Sequence, residues 1–188
     1  MVKDGTYVKK PIACTDAERR EFERLVRQGF AGSDEGLPGR IRDAQWLAFH
    51  YAADDTLAAI AGLKAPGEQY RDEVFQQSAG GVRPVDHELE LGWVFVLPTH
   101  RGNRIGARLC RMLLAREPES GVFATTRPDN DVMIKILGAL GFSQTGKPYP
   151  HARRNEDLVL FLRSAPVEGT GCHKGGIHAK GRIHPRSK

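Results

Sequence analysis

Residues 98–109 read PTHRGNRIGARL, which puts two glycines, Gly102 and Gly106, and three arginines, Arg101, Arg104 and Arg108, within eight residues. That composition suits the holding of an anion. Arginine presents planar, charge-assisted donors that match phosphate oxygens, and glycine lets an oxygen reach the backbone without meeting a side chain. The stretch follows an apolar run, ELELGWVFVL, and Ile105, Leu109, Met112 and Leu113 then recur at the spacing of one helix face. The order is strand, turn, helix, with the helix starting near Arg104. A helix leaves its first N–H groups unpaired, and its dipole favours negative charge at that end. These features fit a pyrophosphate, and they fit equally a basic turn ahead of a solvated helix face.

Several elements must position this turn. Thr15 followed by Glu18 has the form of a capping box, and Phe22, Leu25 and Val26 recur at helical spacing, which predicts an amphipathic helix from 16 to about 28. AGSDEGLPGRIRD is loop-like, with room for one helical turn. AQWLAFHYA and TLAAIAGLK flank ADD and read as a β-hairpin. GEQYRDEVFQQ reads as a short helix, HELELGWVFVL as a half-buried strand, GVFATT as a short buried strand and DLVLFLR as a final strand. NDVMIKILGALGF puts Met133, Ile136, Leu137 and Leu140 on one stripe and closes on Gly141 at a C-cap position. GKPYPHARR reads as a flexible loop. The order, roughly ααββαβαβαβ, predicts a mixed α/β domain with helices on both faces of a central sheet.

The pair PTHRGNRIGARL and NDVMIKILGALGF resembles the two signature segments of the GNAT superfamily of acetyl-CoA-dependent N-acyltransferases. That family carries Arg/Gln-x-x-Gly-x-Gly/Ala at a strand-to-helix turn and, downstream, a helix of the form Asn-x-x-Ala-x-x-Leu-Tyr-x-x-x-Gly-Phe. Arg101, Gly102, Ile105 and Gly106 match the first segment; Asn130, Gly141 and Phe142 match the second, over residues 88–142. The resemblance implies a GNAT-like mixed central sheet flanked by helices on both faces, with acetyl-CoA as co-substrate. By position it gives the backbone N–H groups of Gly102, Asn103, Arg104, Ile105, Gly106 and Ala107 to the pyrophosphate. It gives the backbone of Phe95 and Val96 to the pantetheine arm, and Asn130 to a further cofactor contact beside its plain role as a helix cap. It also implies that the strand before the turn splays from the next one, with Gly92 as the expected place for the bulge this needs. Two positions depart from the pattern: Arg104 stands where a glycine is usual, and Leu137 where the family carries a tyrosine that protonates the leaving thiolate.

Acyl transfer to an amine needs a base to take a proton and a donor near the leaving group. A glutamate at the equivalent strand position is the general base in the histone-acetyltransferase branch, which makes Glu90 the expected base. Glu88 shares its face in an ideal strand, where two acids can raise one another's pKa; an ordinary solvent-facing strand is the plain alternative. Tyr149 is the expected substitute acid, or else an amphipathic residue closing a loop over the core. The expectation is an N-acetyltransferase acting by direct transfer in a ternary complex on a primary amine, of a small molecule or a protein. Leu137 keeps open a non-catalytic acyl-CoA-binding module of the same fold. Asp34 and Glu35 could attract a cationic acceptor, and Arg40, Lys64 and Arg71 a carboxylate, or each could be a solvated surface charge.

The net charge of +5 sits mostly at one end, since residues 164–188 hold five Lys or Arg against one acid. This predicts a domain over 1–163 and a basic, Gly- and His-rich tail over 164–188 with too little apolar content to fold alone. The tail is compatible with binding nucleic-acid phosphates, and so with an acyltransferase acting on a nucleic-acid-associated substrate, but no aromatic residue interleaves its charges for base stacking. Cys172, His173, His178 and His184 match no compact zinc spacing, so no metal is expected. The start, MVKDGTYVKKP, lacks an apolar stretch of signal-peptide length, and the longest apolar runs are too short to span a bilayer, which predicts a cytoplasmic protein without membrane contact. Three scattered cysteines fit reduced thiols. The resemblance is compatible with a homodimer.

Overall fold

Thr15 Oγ1 accepts a hydrogen bond from the Glu18 N–H (3.2 Å), and Glu18 Oε2 accepts one from the Thr15 N–H (2.8 Å). This reciprocal cap starts helix α1 (Asp16–Gly29). The computed structural model describes residues 5–30, 36–151 and 155–165. Before α1 lies strand β1 (Gly5–Lys9); after it come α2 (Leu37–Arg42), β2 (Trp46–Tyr51), β3 (Leu57–Lys64) and α3 (Glu68–Ser78). The chain continues through β4 (Leu89–Val96), α4 (Ile105–Leu114), β5 (Val122–Thr126), α5 (Asp131–Ala139), β6 (Ser143–Pro150) and β7 (Asp157–Arg163).

The strands form one seven-stranded sheet in the order β1-β2-β3-β4-β5-β7-β6. Neighbours run antiparallel except β4 and β5, which are parallel. Helices cover both faces. On one, Ile105, Leu109 and Leu113 of α4 and Leu137 of α5 pack on Ala59, Ala61, Leu91, Val122 and Phe161. On the other, Phe22, Leu25 and Val26 of α1 and Leu37 and Ile41 of α2 pack on Leu47, Phe49 and Ile60. Farther along that second face, Val74 and Phe75 of α3 pack on Phe123, Leu160 and Leu162. Each fully buried leucine, isoleucine or phenylalanine contributes about 1.5–3 kcal/mol.

The sequence reading differs from this in two elements, β1 and β6. Tyr149 lies on β6, paired with Leu158 of β7, rather than in a flexible loop. The bulge expected at Gly92 falls one residue later. Gly92 pairs with Gly62 and Phe95 with Ile60, so Trp93 and Val94 share the position opposite Ala61. Trp93 adopts φ 51°, and a Cβ on Gly62 would lie 2.6 Å from its ring. The bulge therefore needs a glycine across the ladder, where the indole lies down.

Candidate active site

β4 and β5 pair at two positions only, Leu89 with Val122 and Glu90 with Phe123. Past these the ladder stops, although β4 runs on to Val96 and β5 to Thr126. Glu90 sits at the last pair, 3% exposed, at the apex of the opening. Its Oε1 is 2.6 Å from Lys64 Nζ, on the residue directly opposite in β3. A Cβ on Gly92 would come within 2.9 Å of Lys64 Cε and 3.0 Å of Nζ, so the missing side chain is the space through which Lys64 reaches Glu90. Glu88, expected to share this face, precedes the strand and is exposed; the charge beside Glu90 is a lysine, not a second acid.

Two tyrosines complete the group. Tyr70 of α3 is 43% exposed, and its hydroxyl lies within reach of the Glu90 charge. The Glu90 charge, then burial, pushes the Tyr70 hydroxyl well above its ordinary range. Tyr149 is 4% exposed, and its hydroxyl has no hydrogen-bond partner among the described residues. Burial first, then the Glu90 charge, also raises it. Both hydroxyls therefore stay protonated beside the carboxylate.

The turn after β4 has the geometry its residues suggest. Gly102 has φ 84°, and Arg104, the residue before α4, has φ 56° without making a side-chain cap. That left-handed conformation is one glycine adopts freely and a side chain adopts only at a cost of about 1–2 kcal/mol. The first helical bond runs from the Arg108 N–H to the Arg104 carbonyl (3.1 Å), so the N–H groups of Ile105, Gly106 and Ala107 precede the ladder. Uncapped, these groups fit an outside anion such as a pyrophosphate. Gly106 lies over Val94 and Val96, and a Cβ there would meet them at ordinary contact distances of 3.5 and 3.6 Å.

The arginines divide. Arg101 Nε donates to the Val96 carbonyl (3.1 Å), tying the turn to the end of β4. Arg104 is exposed at the helix start. Arg108 is drawn away from the turn, with Nη2 3.2 Å from His50 Nδ1 on β2, so it is not one of the turn's phosphate donors in this arrangement. Phe95 turns its ring against Gly29 at the end of α1, while Val96 packs toward α4 on the opposite face.

On the far side of the opening, Asn130 caps α5 by accepting from the Met133 N–H (3.2 Å) and donates to Thr126 Oγ1 (3.1 Å) at the end of β5. The helix ends in a Schellman motif: Gly141 has φ 84°, and the Phe142 N–H reaches the Leu137 carbonyl (3.1 Å). Leu137 is fully buried in the core and offers nothing to the opening. Asp34, Glu35 and the tail from 166 onward, with Cys172, His173, His178 and His184, lie outside the described residues. Among those described, no helix is long and apolar enough to cross a membrane.

Sequence reasoning named Glu90 and Tyr149 and gave Lys64 only as a possible carboxylate holder; it missed Tyr70. The Lys64–Glu90 pairing depends on β3 and β4 being neighbours across an intervening helix, and no local pattern signals that.

The chain belongs to the acetyltransferase (GNAT) family, whose model matches residues 14–142, a span that holds this splayed parallel pair and the uncapped helix start beside it. No curated protein matches it. Among solved structures it is similar to an acyl-CoA N-acyltransferase from Pseudomonas aeruginosa, at 15% identity and TM-score 0.63, over 85% of this chain and 99% of that one. It is similar also to FeeM, an N-acyl amino acid synthase from uncultured soil microbes, at 18% identity and TM-score 0.66, over 88% and 93%. A third is Arabidopsis thaliana Naa50 in complex with the bisubstrate analogue CoA-Ac-MVNAL, at 16% identity and TM-score 0.60, over 85% and 98%.

Proposed function

We propose that the protein is an N-acetyltransferase that moves an acetyl group from acetyl-CoA to a primary amine by direct transfer in a ternary complex. The observation that carries this reading is the position of Glu90 at the last β4–β5 pair, where the strands part. Acetyl-CoA supplies the thioester carbonyl carbon that the amine attacks. The backbone N–H groups of Gly102, Asn103, Arg104, Ile105, Gly106 and Ala107 take the pyrophosphate, with Arg101 and Arg104 adding charge at the rim. The free edge of β4 at Phe95 and Val96 takes the pantetheine amides, and Asn130 contributes from the opposite wall. Val96 gives up the Arg101 contact to do so.

Glu90 accepts the proton that the amine nitrogen must lose, directly or through one water, once Lys64 yields to the acceptor. Tyr149, protonated and without a partner among the described residues, donates to the sulfur as the C–S bond breaks; Tyr70 is the alternative donor. A thiol of ordinary pKa about 8.5 leaves with only such modest help, so Leu137 does not prevent turnover. Neighbours named for an amino acid product and for a peptidyl bisubstrate analogue both point to an amine acceptor.

The test is Glu90→Gln. With an amine found by screening, kcat/KM should fall by about 10²-fold or more while acetyl-CoA still binds. Retained turnover in that variant would remove Glu90 from the role. Turnover unaffected by Tyr149→Phe would transfer the donor role to Tyr70.

A further inference from the structure

The Lys64–Glu90 pair is more than a base requires. The two charges stand 2.6 Å apart with side chains 19% and 5% exposed, on a sheet face otherwise built of Phe123, Leu160 and the Trp93 ring. Burying an ion pair costs more desolvation than apolar groups of the same volume would. The surroundings are nonetheless shaped for it. Gly92 is bare where Lys64 passes, and Nζ lies 5.3 Å from the centre of the Trp93 ring, which bears on the cation from another side. The site is therefore a neutral dipole with its positive and negative ends already fixed.

We propose that Lys64 and Glu90 together recognise a zwitterionic acceptor, a free α-amino acid or a compound with the same amino-carboxylate unit, whose amine goes to Glu90 and whose carboxylate goes to Lys64. This rests on the preceding reading of Glu90 as the base. In the empty site the two side chains neutralise each other. An acceptor carrying both charges enters between them, and every ion keeps a counter-charge. A simple amine would draw Glu90 away and leave the Lys64 ammonium unpaired, and a polyamine would add like charge beside it. Both are disfavoured by what they leave uncompensated.

The experiment follows release of free CoA from acetyl-CoA with the common amino acids and their decarboxylated counterparts in matched pairs, such as phenylalanine and phenethylamine. It uses the full chain, wild type and Lys64→Met. In at least one pair the amino acid should be preferred by about ten-fold or more in kcat/KM, and Lys64→Met should collapse that ratio mainly by raising KM for the amino acid. Wild-type protein that uses the decarboxylated members equally well or better overturns the proposal and leaves the acetyltransferase reading standing. So does a preference that survives Lys64→Met. The wild-type comparison decides the matter even if the variant fails to fold. Absence of CoA release with every amine overturns the acetyltransferase reading and this proposal with it.

Discussion

Replacing Glu18 with glutamine should loosen the attachment of α1 to β1, and the structure sets the size of the effect. Glu18 Oε1 accepts from Lys9 Nζ (2.7 Å) and the Tyr7 hydroxyl (3.2 Å), and Oε2 from the Thr15 N–H (2.8 Å). Burial works against the charge, but Lys9, Thr15 and Tyr7 outweigh it and bring the carboxyl from 4.5 to about 2. At about 1.36 kcal/mol per pH unit this corresponds to about 3 kcal/mol. Because Lys9 is 35% exposed and water screens its share, about 1–3 kcal/mol is the expected measured gap. The folded-state pKa is depressed, so the contribution is fully present above the unfolded value and is lost as pH falls through about 2. Urea unfolding of wild type and Glu18→Gln at pH 7 and pH 3 reads it, and the gap should shrink by about half at pH 3. A gap below about 0.5 kcal/mol at pH 7, or one that does not change with pH, would refute the reasoning. The consequence reaches the site, because Gly29 at the end of α1 carries the Phe95 ring.

Gly146→Ala should destabilise by well over about 1 kcal/mol in thermal melts, since a Cβ there would lie 2.1 Å from the Ser78 carbonyl and φ is 73°; a melt within a degree of wild type would contradict that close approach of β6 and α3. Leu137→Ala should cost about 2–5 kcal/mol in urea unfolding, because Leu137 is fully enclosed in the α4–α5 core. Leu137→Tyr, which restores the residue usual in the family, should also destabilise and should not raise turnover; a gain in kcat would show that the position faces the opening after all.

What was legible in the sequence follows from physical range. The capping box, the hairpin, the helix after the glycine turn and the Gly141 cap are local, written within a few residues. β6 escaped because it is an edge strand with one buried side chain, Tyr149, and its pairing comes from β7. β1 escaped for a similar reason, as a five-residue edge strand. Glu90 was reached through its position relative to the turn. Its ion pair, its nearness to Tyr70 and the exact bulge residue depend on which distant segments become neighbours. The displacement of the bulge to Trp93 follows from Gly62, thirty-one positions back in the chain.

The most direct test of the whole account is a calorimetric titration of the protein with acetyl-CoA, beside a variant carrying Arg101→Ala and Gly106→Glu. The Gly106→Glu change puts a carboxylate at the start of α4, where the anion should sit, and removing Arg101 takes away a cation at the rim. The account predicts saturable binding by the wild type and none by the variant at the same concentrations. Absence of binding by a folded wild type, or binding that the variant retains, would contradict the assignment of this turn as the phosphate site.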